Sequence, residues 1–458
     1  MRARLAIIGF SKKSTLEPDP IIVTQKTIMK RYYPIDASLF TENRQRLAEQ
    51  LKPGSVAVFN SNDIMPGNAD GTMRFLQNSD LFYLSGIDQE ESILVIFPDF
   101  PVEEFREILF LRETSEEIAI WEGHKYTKEE ARETSGVQTV YWLSQFESVF
   151  NTLMAQAEHV YLNTNEHIRA EVRVETRDAR FIKWCQERYP LHTYQRSAPL
   201  LYRLRAVKSE HEIKVMQEAC DITEKGFRRI LQFVKPGVME YEIEAEYLHE
   251  FVRNRSRGFA YEPIVASGFN ACVLHYIANS MQCRDGDVLL MDVGAEYANY
   301  NADMTRAIPV SGRFTERQKQ VYNAVLRVQR EAFQLLRPGN AVREYQKEVE
   351  KIMESELIGL GLLDKADVVQ QDPKKPLLKK FFMHGTSHHL GLAVHDVGNV
   401  FRKFEPGMVF TVEPGIYIRE EKLGIRLENN VVIQEDGLHD LMRNIPIEAE
   451  EIEDLMNR

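Results

Sequence analysis

The sequence predicts two domains of different class, an α/β domain over residues 35–199 and an α+β domain with an internal repeat over residues 200–458. Three observations carry this prediction. At 458 residues the chain exceeds the ~100–200 residues typical of one domain. Its first part alternates short apolar runs with polar helical stretches, whereas its second part opens on a long amphipathic helix. In that second part a phrase of capped helix, Pro-Gly break and helix appears first at Ser209 and again at Thr315.

Taken in order, residues 1–34 read as a poorly ordered extension. Residues 1–28 hold no sustained hydrophobic period and contain the turn Pro18-Asp19-Pro20, and Met29 is a candidate start. A helical stretch Glu42–Leu51 stops at Pro53-Gly54, and Val56–Phe59 reads as a strand. Ile93–Phe97 is a second strand, stopped by Pro98. Ile108–Leu111 and Val160–Leu162 follow, separated by polar helical segments, which predicts a mixed or parallel sheet with helices on its faces. Trp121-Glu122-Gly123 is expected in a loop between them.

The domain boundary is placed at Ser197-Ala198-Pro199. Ser209 and Glu212 form a capping box, because hydroxyl and carboxylate each satisfy an orphan backbone N–H. Ile213, Met216, Cys220, Phe227, Ile230 and Val234 then fall near one helical face, Lys235-Pro236-Gly237 ends the helix, and Glu240–Asn254 forms the next. Thr315 and Gln318 open the second copy, which runs to Leu336, breaks at Arg337-Pro338-Gly339 and resumes from Val342 to Leu357. Two such halves predict a site between them.

Composition removes several classes of function. A formal charge of −12 gives no basic footprint for a polyanion, so neither nucleic acid nor an anionic membrane surface is an expected partner. Apolar runs reach about five residues, far short of the ~20 of a membrane helix. The apolar stretch in MRARLAIIGF is too short for an export signal, so a cytoplasmic protein is expected. Cys185, Cys220, Cys272 and Cys283 make no CxxC pair and read as reduced thiols.

Common enzyme motifs are missing. Gly385-Thr386-Ser387-His388-His389 lacks the last glycine of a nucleophile elbow, Gly359-Leu360-Gly361 lacks the third glycine of a dinucleotide site, and neither HExxH nor GxxxxGK[ST] occurs. Acidic residues instead stand where apolar ones are expected. Asp292 closes the run Val288–Met291, where an unpaired carboxylate is costly to desolvate. Asp303 lies eleven residues on, within reach of a hairpin. Glu413 follows Met408–Val412, and Glu428 separates Ile425–Leu427 from Val431–Ile433. Four histidines, His384, His388, His389 and His395, fall within twelve residues, and His275 sits in Cys272–Ile277. Two Asp, two Glu and a His are a hard, oxygen-rich donor set suited to Mn²⁺, Co²⁺, Fe²⁺ or Zn²⁺. Four carboxylates balance two divalent ions, which together can hold a water and polarise a carbonyl.

The segments LLMDVGAEYANYNADMTRAIPVSGRFT (289–315), MHGTSHHLGLAVHDVG (383–398), VFTVEPGIYI (409–418) and GIRLENNVVI (424–433) resemble the metallopeptidase family of Xaa-Pro aminopeptidases (aminopeptidase P), which also contains prolidase and methionine aminopeptidase. Asn43–Asp99 is similar to that family's N-terminal domain, and the likeness covers roughly residues 35–458. It implies an α/β N-terminal domain and an α+β pita-bread catalytic domain with a pseudo-twofold repeat. It also implies two divalent ions, Mn²⁺ foremost, with Co²⁺, Zn²⁺ or Fe²⁺ as others. Asp292, Asp303, His388, Glu413 and Glu428 match the family's metal ligands, with Asp303 and Glu428 bridging. Glu413, His275, His384 and His395 match catalytic positions, and Arg426, His275 and His395 match substrate contacts. Ala393 and Asn429 depart from the family, standing where relatives often carry acids.

The implied activity is release of the N-terminal residue from peptides with proline second, through attack by a hydroxide held between the ions. A homo-oligomer, dimer or tetramer, is implied as well. A prolidase restricted to Xaa-Pro dipeptides shares the same motifs. A non-catalytic binding protein on this fold predicts eroded ligands, and all five are present.

Overall fold

β-branched and aromatic runs build the first sheet. In the computed structural model, which describes residues 31–458, these are β1 (Ser55–Asn60), β2 (Ile93–Ile96), β3 (Glu107–Leu111), β4 (Thr139–Trp142), β5 (His159–Leu162) and β6 (Thr193–Arg196). The expected appendage at residues 1–28 and the candidate start Met29 lie outside the described residues. The sheet order is β4-β3-β2-β1-β5-β6, with β2 antiparallel to both neighbours and the other pairs parallel, the mixed sheet that the alternation predicts. β1 and β2 are buried throughout, as strands covered on both faces should be. Val56, Val58, Val95, Phe110, Phe146 and Phe150 anchor one core against a helix face carrying Phe181 and Trp184.

Local capping explains where elements differ from expectation. The first helix begins at Ala37, ahead of the expected Glu42, because Asp36 accepts a hydrogen bond from the Ser38 amide. Trp121 and Glu122, expected in a loop, belong to the helix Glu116–Glu122, which Ser115 caps and Gly123 ends. Tyr32 is buried and packs edge-on against Tyr297, 6.2 Å between ring centroids.

The second part repeats one order of elements. Helices Glu210–Phe233 and Glu240–Arg253 precede an antiparallel sheet of β7 (Ile264–Ser267), β8 (Val288–Val293) and β11 (Met304–Pro309). A small hairpin, β9 (Glu296–Tyr297) and β10 (Tyr300–Asn301), joins β8 to β11. Helices Glu316–Leu335 and Val342–Gly359 precede β12 (Val409–Val412), β13 (Gly415–Ile418), β14 (Leu423–Arg426), β15 (Asn429–Gln434) and β16 (Gly437–Asp440). The capping boxes at Ser209 and Thr315 both form. The halves touch at their strand ends, where the Glu428 amide donates to the Thr305 carbonyl at 3.0 Å.

Gly294 shapes the turn between Asp292 and Asp303. A Cβ there would lie 1.8 Å from the carbonyl oxygen of Ala302, a backbone atom that cannot swing aside. Gly294→Ala is expected to splay the hairpin and destabilise the protein by ~1–3 kcal/mol, as overpacking does. Urea unfolding of both proteins measures the loss; an unchanged midpoint means that the two segments can separate freely.

Candidate metal centre

Strand geometry brings the acidic residues together. β11 pairs with β8 so that Thr305 faces Asp292, leaving Asp303 just outside the ladder. The histidine segment runs beside β12: the Thr411 amide donates to the His388 carbonyl at 3.0 Å and the Glu413 amide to the Thr386 carbonyl at 2.8 Å. Those two bonds place His388 next to Glu413. Ligand atoms of Asp303, His388 and Glu428 all lie within 4.8 Å of one another. His388 Nε2 is 3.4 Å from Asp303 Oδ2 and 3.6 Å from Glu413 Oε1, while its Nδ1–H donates to the His389 carbonyl at 2.9 Å. Nε2 therefore faces the carboxylates as a donor atom for a cation. Asp292 joins the cluster through Tyr261, whose hydroxyl is 2.6 Å from both Asp292 Oδ1 and Asp303 Oδ1.

One hydroxyl proton cannot serve two carboxylates, so this pair needs either a carboxyl proton or a cation. The surrounding electrostatics agree. Burial pushes the Glu428 carboxyl well above the usual range, and the charges of Asp303, Glu413 and Asp292 add to it. Burial raises Glu413 to about 7, against the pull of His388 and Arg426. Clustered carboxylates with an imidazole nitrogen aimed among them are a donor set that fits divalent metal.

Arg426 is the cation already in place. It donates to Asp292 Oδ2 at 2.6 Å, to Thr305 Oγ1 at 3.0 Å and to the Tyr417 hydroxyl at 2.9 Å. With its oxygen accepting from Arg426, Tyr417 can donate to His384 Nε2 at 2.8 Å, and His384 Nδ1–H donates to the Gly385 carbonyl at 2.7 Å. His384 is thus held neutral, its pKa lowered to about 3 by burial and by the Arg426 charge. His395 is exposed and sets its ring perpendicular to His388, 4.5 Å between centroids. His275 stands exposed in the turn after Gly268–Cys272.

Sequence reasoning missed Tyr261, Thr305 and Tyr417. Thr305 carried a signal, since a strand places residues two apart on one face and Asp303 is its neighbour by that rule. Tyr261 carried none, for only the tertiary fold brings it to Asp292.

This site lies in a recognisable chain. Residues 214–435 match the profile of metallopeptidase family M24, and residues 40–161 match that of the aminopeptidase P N-terminal domain. The chain belongs to metallopeptidase family M24 and is built as an aminopeptidase P N-terminal domain followed by the metallopeptidase domain. It is 36% identical to the Xaa-Pro aminopeptidase of Escherichia coli, over 91% of this chain and 97% of that protein. It is 30% identical to the Xaa-Pro dipeptidase of Mus musculus, over 92% and 94% respectively. The structure of zinc-substituted Escherichia coli aminopeptidase P in complex with product superposes with a TM-score of 0.82 at 36% identity, covering 93% of this chain and 99% of that one.

Thr305 links the two sides of the cluster, donating to Glu428 Oε2 at 2.6 Å while accepting from Arg426. Thr305→Val keeps the shape and frees Glu428 to turn, so divalent-metal affinity is expected to fall ~10–100-fold. Calorimetric Mn²⁺ titration of the apoprotein tests this, and wild-type affinity would leave the hydroxyl without a role in orienting Glu428.

Proposed function

We propose that this protein is a metal-dependent aminopeptidase that removes the N-terminal residue from peptides with proline second. The observation that carries the reading is the meeting of Asp303, Glu413 and Glu428 at His388, with Asp292 joined to Asp303 through Tyr261, drawn from both halves of the second part. Near full-length similarity to a Xaa-Pro aminopeptidase supports it. The same five residues would hold two divalent ions, with Mn²⁺ the first ion to test ahead of Co²⁺, Zn²⁺ or Fe²⁺. Bound there, such ions acidify a water and polarise the scissile carbonyl.

The protein's own groups do the rest. Glu413, fixed at the end of β12 before Pro414, accepts the water's proton and returns it to the leaving nitrogen. Arg426 orders Tyr417, which orders His384, so that a neutral imidazole stands ready beside the substrate. His395, which lines a cavity together with His388, and His275 hold the peptide. Residues 35–199 narrow access to the centre that residues 200–458 supply. We further propose a cytoplasmic homo-oligomer, dimer or tetramer; among the described residues no helix is long and apolar enough to cross a membrane.

Similarity to a Xaa-Pro dipeptidase supports a second reading, cleavage of Xaa-Pro dipeptides alone. Xaa-Pro-Xaa tripeptides and Xaa-Pro dipeptides, offered separately with products read by mass, distinguish them: turnover of the tripeptide is expected. A chelator should abolish that turnover and added Mn²⁺ or Co²⁺ restore it. Activity in protein shown metal-free by elemental analysis would remove the metal from the reaction.

Glu413→Gln preserves shape and deletes the proton acceptor, so turnover should fall ~10²–10⁴-fold in a protein that keeps its far-ultraviolet circular dichroism. A folded, metal-loaded variant with near wild-type turnover would take Glu413 out of the proton transfer.

A further inference from the structure

A second buried charge cluster lies beside the site, and its members come from both parts of the chain. Arg205, on the helix Ala198–Ala206, donates one Nη to Asp80 Oδ1 at 2.7 Å and the other to Asp396 Oδ1. Lys208 Nζ reaches Asp396 Oδ2 at 3.1 Å. Asp80 Oδ2 accepts from Asn163 Nδ2 at 2.9 Å, and the Ser197 hydroxyl donates to Asn163 Oδ1 at 2.8 Å. The Asp396, Lys208, Arg205 and Asp80 side chains are 1%, 1%, 5% and 10% exposed. Two carboxylates and two cations balance, so none is left as an uncompensated buried charge.

The ends of this chain of contacts are informative. Asp80 belongs to the helix Ser79–Ser85, packed on the first sheet, and Asn163 directly follows β5 of that sheet. At the other end Asp396 is the residue after His395. Its amide donates to the His389 carbonyl at 2.9 Å, closing the loop whose His395 ring stands against His388. Gly391 leaves room for the carboxylate, since a Cβ there would fall 2.3 Å from Asp396 Oδ2 and 2.9 Å from Lys208 Cε. His395 itself is exposed and makes no hydrogen bond of its own among the described residues, so its place is set by the His388 ring it stands against and by what holds Asp396.

We propose that Asp80 and Arg205, acting through Asp396, are positioning residues for His395, so that the first sheet sets where this histidine meets the substrate. This rests on the peptidase reading of the site. Asp80 touches neither the carboxylate cluster nor His395, so it acts by holding Arg205 rather than by chemistry. A displacement of about 1 Å in a substrate-contacting group is enough to lower turnover ~10²-fold.

The test is a double-mutant cycle on the metal-loaded full chain, using Asp80→Asn, His395→Ala and the pair, with an Xaa-Pro-Xaa peptide as substrate. Asp80→Asn keeps the side chain's shape and removes the charge that faces Arg205. Its kcat is expected to fall ~10–100-fold with KM and metal content near wild type, and the loss should disappear in the His395→Ala background. An equal loss in both backgrounds, or none in the wild-type background, overturns the proposal, since a merely structural contact would act independently of His395. Should Asp80→Asn not fold, Asn163→Ala takes its place in the cycle. Wild-type protein inert on every Xaa-Pro substrate would defeat the peptidase reading alone. The crystal structure of the folded variant then decides the proposal: a displaced His395 ring over an unmoved His388 and Glu428 supports it, and an unmoved ring overturns it.

Discussion

Like charge withdrawn from water is the constraint on which the rest of the structure depends. Asp292, Asp303, Glu413 and Glu428 gather out of water; burial and then the neighbouring carboxylates push Glu428 and Glu413 up, whereas Asp303, despite burial, is held below its usual range by His388. Few groups face them that could offset their charge. Arg426 contacts Asp292, and His388 lies between Asp303 and Glu413. Arg306, although buried alongside, directs its donors to the carbonyls of Thr305, Glu428 and Pro446 and to the Asn429 side chain. It fastens the strands and leaves the carboxylates unneutralised. The cluster therefore keeps an excess of negative charge whenever its members ionise, and divalent cations are the partners that remove it.

The internal repeat answers the question of how such a cluster can be built at all. Neither half alone supplies the cluster, but the two halves meeting at their strand ends bring four carboxylates and an imidazole together. The first half brings Asp292 and Asp303, the second His388, Glu413 and Glu428. Asn430 seals the junction: its Oδ1 accepts from the Asp303 amide at 3.0 Å while its Nδ2 donates to the Asp303 carbonyl at 2.5 Å. A side chain of one half thus replaces a missing strand partner in the other. Its neighbour Asn429 accepts from Arg306 at 2.8 Å and donates to Asp440 at 2.7 Å. An ionised acid at 429 could not donate to Asp440, so an amide suits these surroundings.

Much of this was legible in the sequence because the signals were local. Ser209 with Glu212 and Thr315 with Gln318 mark helix starts through bonds that span three residues, and a carboxylate ending an apolar run marks itself as anomalous. The order Asp292, Asp303, His388, Glu413, Glu428 marks the family. Where reading failed, the cause was a weaker local signal or a tertiary one. Ser115 and Gly123 do bracket the helix around Trp121, but at seven residues it lacks a hydrophobic period to announce it. The tie between Asp80 and Asp396 spans more than three hundred positions, and no spacing rule encodes it.

Access completes the logic of the site. A cavity of about 880 Å³ extends from His395 and Ala393 to residues of the first part such as Asn78, Asp80 and Arg177. A second, of about 590 Å³, runs from His388 and His395 past Tyr202 to Phe401. His167, Arg169, Tyr202 and His395 line both. His395 therefore stands where the two spaces meet, with walls contributed by both parts of the chain. Of the clustered groups, His388 lines the second of these cavities, beside a histidine that the second part carries. Ala393 lines the first of these cavities without adding a charge to it. Segments that flank the N-terminal sheet, among them Ser61, Asp80 and Asn163, thus share the wall of the first cavity with His395.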